Sequence, residues 1–377
     1  MIDFSFTEGQ ERFREKVREF ARKELAPRRK EWDREKKSCW RIVNKRFAEW
    51  GLVDPNISHV TRGILVEEIA YIDFNSALAI TYTTLPFAYH KLPGVPEEIR
   101  RPIQEGIMKG ERFLAFCYGE PAAGTDMAAF EATATKDGNE WVINGYKNTI
   151  SWVDATDYVV TARTAGREAG VWALTDFYVP GDTPGVGLPE VWADMGNRGV
   201  HRGCIRFDNV RVPLNYVVGE LGKGYLLAVD LFDTNRAWIG LKCIGAAQAS
   251  VDESGEYARQ RVSMGNPISK YQAISFALAE AQTLLEAGRW LCYKTLWKAD
   301  RGERHDVEGA MCKWWVPEVC LEIVRKCLLI HGQYGYTEDL PFEQRMRDIL
   351  GWQIGDGTPE PSKLMIARSM IGKSYVG

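Results

Sequence analysis

Residues 114–126 read LAFCYGEPAAGTD, an apolar run that ends in a loop of glycine, proline and other small residues. A loop of this kind lets backbone N–H groups approach a ligand closely. Further along come NGYKNTIS at 144–151, MGNRG at 195–199, FDNVRVP at 207–213 and GELGKG at 219–224, each with at least one charged residue. The C-terminal part adds YARQR at 257–261, GNPI at 265–268, Gln272, Arg347 with Asp348, and Asp356-Gly357-Thr358. Asp233 and Arg236, three apart in FDTNR, have the spacing of an i,i+3 helical ion pair worth only tenths of a kcal/mol.

Other chemistries are disfavoured. The eight cysteines form no C-x-x-C, and the five histidines form no H-x-x-x-H or H-E-x-x-H. No metal site is expected. The cysteines sit in apolar surroundings and read as small core residues in a reducing compartment, so a cytoplasmic location is expected. A net charge of -3 argues against a general nucleic-acid binder. It leaves room for an anionic ligand held by a local basic cluster. No apolar run is long enough to cross a bilayer, and no secretory leader is read at the start.

The elements that must position these residues change character twice. Up to about residue 109 the pattern is helical: Thr7 with Gln10 has capping-box spacing, and apolar residues recur at helical intervals after it. Further helices are predicted near 60–72 and 96–109. From about 113 to 219 short alternating runs appear at 131–135, 140–143, 158–164, 171–178 and 203–207, separated by turns such as Asn144-Gly145. Long helical blocks then return at 239–260, 270–299 and 307–331, as in a bundle. The order is α, β, α, an α+β multi-domain chain. The expected domains are 1–112 (N-terminal helical), 113–222 (central β, barrel or sandwich) and 223–377 (C-terminal four-helix bundle).

Taken in order, these motifs resemble the acyl-CoA dehydrogenase family over essentially the whole chain. The resemblance implies FAD between the β domain and the bundle, an acyl-CoA substrate, a homotetramer and re-oxidation by an electron-transfer flavoprotein. By similarity, Phe116, Tyr118, Gly119, Thr149 and Ser151 line the flavin ring. Thr125 contacts the FAD pyrophosphate or the thioester, or else caps the turn at Met127. Arg261 and Gln272 reach the FAD of a neighbouring subunit. Tyr225, Asp233 and Arg236 contact CoA, and Gly357 borders the substrate. Thr358 and Glu360 fall beside the cofactor. In the family a carboxylate takes the α-proton while hydride leaves the β-carbon for the flavin. Asp356 matches the usual Glu. The alternative position for the base, just ahead of Arg236, holds Asn235, which is no base.

Several positions depart from the family pattern. Gly119 replaces the usual Thr, so backbone or water is expected to make the contact that its side chain would make. Thr149 replaces an aromatic, Gly355 another aromatic, and Leu329 and Gln333 break a later cofactor pattern. Glu360 puts a negative charge where Gln is common. Pro359 and Pro361 are expected to stop this segment from continuing a helix. Asp356 is one methylene shorter than Glu, roughly 1.3–1.5 Å of reach. The leading reading is an α,β-dehydrogenase of an acyl-CoA. Two others stand beside it: an oxidase or lyase-like flavoenzyme of the nitroalkane-oxidase type, and a flavin-bound binding protein. The CoA-contact matches favour a thioester, and the acidic balance argues against the last. The polar stretch 80–87, ITYTTLPF, floors the acyl cavity by similarity, and implies a short, branched, cyclic or polar acyl group.

Overall fold

The computed structural model describes residues 5–54, 56–84 and 92–376, with the side chains of residues 82–84 outside that description. Most side chains of the ITYTTLPF stretch therefore lie outside the described residues. Thr81, at its edge, is buried and spends its hydroxyl on Ala77 O at 2.6 Å.

The N-terminal part is helical. Helix α1 (Glu8–Phe20) opens with the expected capping box. Thr7 Oγ1 accepts from Gln10 N at 3.2 Å, and Gln10 Oε1 accepts from Thr7 N at 3.0 Å. Helices α2 (Arg29–Arg34), α3 (Trp40–Glu49), α4 (His59–Ile72), α5 (Phe74–Thr84) and α6 (Glu97–Met108) follow. Helix α4 is buried nearly all round, as expected of a helix enclosed by other layers.

The middle part is one mixed sheet. Its strands are β1 (Leu114–Cys117), β2 (Thr133–Asp137), β3 (Glu140–Ile150), β4 (Asp157–Arg163), β5 (Leu174–Pro180), β6 (Glu190–Val191), β7 (Gly203–Pro213) and β8 (Val217–Val218). The order is β6-β7-β3-β2-β4-β5-β8, and β1 pairs in parallel with β4. Strands β3 and β7 run well past the short stretches read at 140–143 and 203–207. Asn144 and Gly145, read as a turn, stay in the ladder at an irregularity. Asn144 Oδ1 takes Asn209 N at 2.8 Å across the pair. A Cβ on Gly145 would lie 2.5 Å from Ala132 Cβ, so glycine here serves close strand packing, not a reversal. The strand read at 171–178 starts only at Leu174, because 167–173 coil into short 3-10 turns.

The C-terminal part consists of α7 (Gly224–Gln260), α8 (Gln272–Asp300), α9 (Asp306–Ile330), α10 (Phe342–Ile354) and α11 (Pro359–Ile371). Helix α7 begins fifteen residues before the stretch read at 239, because the polar run Asp233 to Arg236 interrupts its apolar period. Pro359 and Pro361 do not end a helix; they occupy the first turn of α11. Proline is tolerated there because the first N–H groups have no intrahelical partner. Among the described residues no helix is long and apolar enough to cross a membrane.

Arg347 and Asp348 on α10 tie the three parts together. Arg347 Nη2 donates to Asp33 at 2.7 Å, and its Nη1 to Met195 O at 2.9 Å. Asn197, left-handed at φ 52 and 1% exposed, gives its N–H to Asp348 Oδ1 and its Nδ2 to Asp348 O at 3.0 Å. Asn197 Oδ1 accepts Trp352 Nε1 at 3.1 Å, and Asn75 Nδ2 reaches Asp348 Oδ2 at 3.3 Å. Burial pushes the Asp348 carboxyl up to about 8. Its folded value therefore exceeds the unfolded one of about 3.9. The sign follows: its contribution to stability is complete at low pH and lost as pH rises from about 4 to about 8. Asp348→Asn keeps a carbonyl acceptor for Asn197 and removes this titration. Melting temperatures measured across that window are expected to fall less steeply with pH in Asp348→Asn than in the wild type.

Candidate active site

Helix α10 ends at Ile354, and the chain turns sharply to bring an acid back over the bundle. Gly355 is extended, while Asp356 (φ 57) and Gly357 (φ 100) are consecutive left-handed residues. Asp tolerates this conformation better than most residues, and glycine tolerates it freely. A Cβ on Gly357 would meet nothing within 4 Å, so the turn borders open space. Asp356 Oδ2 accepts Asn235 Nδ2 from α7 at 2.8 Å. Lys313 of α9, 1% exposed, donates to Trp352 O at 2.7 Å and so satisfies a carbonyl of the last turn of α10. The acid is thus located by two neighbouring helices.

On the same stretch of α7, Arg236 Nη1 reaches Asp233 Oδ1 at 2.7 Å. The ion pair read from their spacing is present. Tyr225, half-buried in the first turn of α7, meets Trp172 edge-on at 6.4 Å.

The end of β1 faces the same helix. The rings of Phe116 and Tyr118 stack at 6.4 Å, and Tyr118 lies 6.1 Å from Phe232 of α7. The loop after Tyr118 is anchored by a buried ion pair. Lys147, 0% exposed, donates to Tyr118 O at 2.9 Å and to Glu120 Oε1 at 2.7 Å. Burial drives its ammonium down from the usual lysine range, and Glu120 opposes that shift. Glu120 also accepts the N–H groups of Glu131 and Ala132, and Asn148 N donates to Gly119 O at 2.9 Å.

Gly119 and Thr149 prove to be one feature. A Cβ on Gly119 would lie 2.6 Å from Thr149 Oγ1. The Thr149 hydroxyl occupies the room that a side chain at 119 would take, and it donates to Asn148 O at 2.7 Å. Thr149 achieves this at φ 55, where β3 is irregular. A β-branched residue in that region is strained by about 1–3 kcal/mol. Thr149→Gly is expected to relieve the strain at some entropic cost. Thermal unfolding of the cofactor-free variant should show a net gain of about 1 kcal/mol, alongside weaker FAD binding by titration.

The remaining expected residues divide. Ser151 is half-buried in the turn after β3. Thr125 is exposed, and its carbonyl, not its hydroxyl, takes Met127 N at 3.1 Å. Thr358 stands at the N-cap of α11 and Glu360 in its first turn. The Thr358 hydroxyl and local backbone hold the Glu360 carboxyl below its ordinary value. Its charge favours the helix end and would oppose a diphosphate placed there. Arg261 and Gln272 are exposed at the corner between α7 and α8. Arg261 caps the helix twenty-six positions after Asn235, roughly 39 Å away at 1.5 Å per residue. Within one chain Arg261 and Gln272 do not join the Asp356 cluster.

Sequence reasoning missed Asn235 as the donor that holds Asp356, the Lys147–Glu120 pair, Asn197 as a tie to Asp348 and Trp352, and two buried lysines, Lys242 and Lys313. Lys242 had a visible signal, since it is the only charged residue from 237 to 251.

Family models for the N-terminal, middle and C-terminal domains of acyl-CoA dehydrogenases match residues 7–91, 115–210 and 222–371. A 3-(aryl)acrylate reductase of Clostridium sporogenes is 32% identical over 97% of this chain and 99% of its own. The chain belongs to the acyl-CoA dehydrogenase family. A cyclohexane-1-carbonyl-CoA dehydrogenase of Geobacter metallireducens is 33% identical, covering 81% of this chain and 80% of the relative. The solved butyryl-CoA dehydrogenase of Megasphaera elsdenii superposes with a TM-score of 0.90 at 28% identity, covering 98% of this chain and all of the other. Family members are FAD flavoproteins, and the chain is an oxidoreductase of that kind, acting on acyl-CoA. The residues present fit a flavin: paired aromatic rings at Phe116 and Tyr118, a Gly119 without Cβ beside the Thr149 hydroxyl, and open space at Gly357.

Proposed function

We propose that Asp356 is the base that removes the α-proton of an acyl-CoA, giving a 2,3-enoyl-CoA. The observation that carries this reading is the hydrogen bond from Asn235 Nδ2 to Asp356 Oδ2, which fixes the acid on the helix that also bears Asp233 and Arg236. With Oδ2 engaged, Oδ1 is the oxygen that takes the proton. The backbone N–H of Asp356 hydrogen-bonds the thioester carbonyl, so that negative charge can develop there during proton removal. The left-handed turn at Asp356 and Gly357, entered through Gly355, brings the backbone forward and offsets the shorter side chain. When bound, FAD supplies the hydride acceptor. Phe116, Tyr118, Gly119, Thr149 and Ser151 border its ring, with Thr125 and Thr358 toward its phosphates or the thioester. Glu360 opposes binding there by charge.

Tyr225, Asp233 and Arg236 hold the CoA arm. The acyl group is short, branched, cyclic or polar, in keeping with a relative whose name carries a cyclic acyl-CoA. Arg261 and Gln272 serve the FAD of a neighbouring subunit in a homotetramer. Their distance from Asp356 and the exposed Phe276 and Leu284 on α8 support that arrangement. An electron-transfer flavoprotein takes the electrons onward. By microscopic reversibility the same acid serves reduction, the direction carried in the name of the Clostridium sporogenes relative.

The test is anaerobic mixing of the purified flavoprotein with a panel of acyl-CoAs while visible absorbance is followed. Bleaching by short, branched or cyclic thioesters is expected. Rapid oxygen turnover with no dependence on CoA would replace this reading with an oxidase.

A further inference from the structure

Lys242 lies in the apolar middle of α7 and is 1% exposed. Its Nζ sits 5.0 Å over the ring of Trp352, four residues before Asp356, and hydrogen-bonds to no described residue. Lys313 is buried against the same tryptophan, but its ammonium is satisfied by Trp352 O. Burial pushes both ammonium groups down to about 8, and the Asp356 carboxylate opposes the shift in each. Among the described residues the other charged groups nearby cancel or are neutral. Arg236 is paired with Asp233, and burial keeps the Cys243 thiol protonated by pushing it up to about 12. Two lysines thus share one carboxylate, and Oδ2 of that carboxylate already accepts from Asn235. With both lysines protonated, one positive charge in this buried place has no counter-anion among the described residues. An uncompensated buried charge is costly.

Lys242 follows Asn235 by seven residues, two helical turns, so the two lie on the same face roughly 10 Å apart. Helical side chains lean toward the N-terminus, which carries the ammonium back toward Asn235 and the acid. A neutral acyl chain leaves the charge unbalanced; one with an anionic far end closes it. We propose that Lys242 is a specificity residue that receives a carboxylate at the distal end of a short acyl group, making a dicarboxylic mono-CoA thioester the preferred substrate class. This assignment rests on Asp356 acting as the α-proton base.

The experiment compares wild type, Lys242→Met and Lys242→Arg as holoproteins. Each receives a plain acyl-CoA and its carboxylate-tipped counterpart of equal chain length, and anaerobic flavin reduction gives kcat and KM. The visible flavin spectrum reports that each variant has folded and bound cofactor. Wild type is expected to favour the carboxylate-tipped thioester. Lys242→Met should lose about 30-fold or more in kcat/KM on it, the consequence of truncating one partner of a buried charge pair. It should retain the plain substrate, and Lys242→Arg should keep part of the preference. Equal losses on both substrates would make Lys242 a partner of Asp356 alone and overturn the assignment. Bleaching of the wild type by plain acyl-CoAs only would also overturn it, while sparing the proposed chemistry. Failure of every thioester to bleach the wild-type flavin would overturn both.

Discussion

Asp356→Asn is expected to abolish flavin reduction by acyl-CoA while leaving the FAD in place. The substitution is nearly isosteric, and its carbonyl oxygen still accepts from Asn235 Nδ2, now 2.8 Å from the acid. What it removes is the ability to take a proton. A positioned general base contributes typically about 10²–10⁴-fold, so stopped-flow reduction should slow by about a thousandfold or more. The absorbance of bound FAD should remain, because no cofactor contact has been taken away. The lengthened variant is informative too. Asp356→Glu moves the carboxylate by roughly 1.3–1.5 Å, and a misplacement of about 1 Å costs on the order of a hundredfold. If the left-handed turn has brought the backbone forward to suit Asp, the longer acid is the poorer base. Reduction by Asp356→Asn at near wild-type rate would show that another group takes the proton.

Features legible in the sequence were those written in local order. The Thr7 capping box, the long bundle helices and the ordered series of motifs are patterns of adjacent residues, and the fold follows them. Strand lengths were less legible, because Asn-Gly reads as a turn whether it reverses the chain or lets another strand approach; the contact of Gly145 with Ala132 decides between them. The prolines at 359 and 361 were misread for a similar reason. Proline ends or begins a helix according to what precedes it, and here α10 had already ended at Ile354. The site was half legible. Asp356 stood out by its motif, yet its holder Asn235 lies 121 residues away, where a family position for a base drew attention to what Asn cannot do. The contact between Gly119 and Thr149 was visible only as two separate departures, since only the fold brings the loop after β1 against the end of β3.

Lys147→Met is expected to be among the most destabilising single changes in the middle domain. Lys147 has no exposed surface, and the Glu120 side chain is 4% exposed. Removing the lysine leaves the carboxylate buried with only the N–H groups of Glu131 and Ala132 to support its charge. Breaking a buried pair from one side costs about 3–5 kcal/mol, more than the intact pair contributes relative to an apolar replacement. The change also strips Tyr118 O of its donor and frees the loop from Tyr118 to Glu120, which borders the proposed flavin site. Lower unfolding midpoints and FAD loss during gel filtration are therefore expected together. The double variant Lys147→Met with Glu120→Gln separates charge from packing. Glutamine still offers a carbonyl to the two N–H groups and carries no charge to strand, so most of the lost stability should return. If the double variant unfolds as early as the single one, the damage lies in the lost hydrogen bond to Tyr118 O and in packing against the Phe130 ring, 4.7 Å from the ammonium, and the ion pair is not what holds the loop.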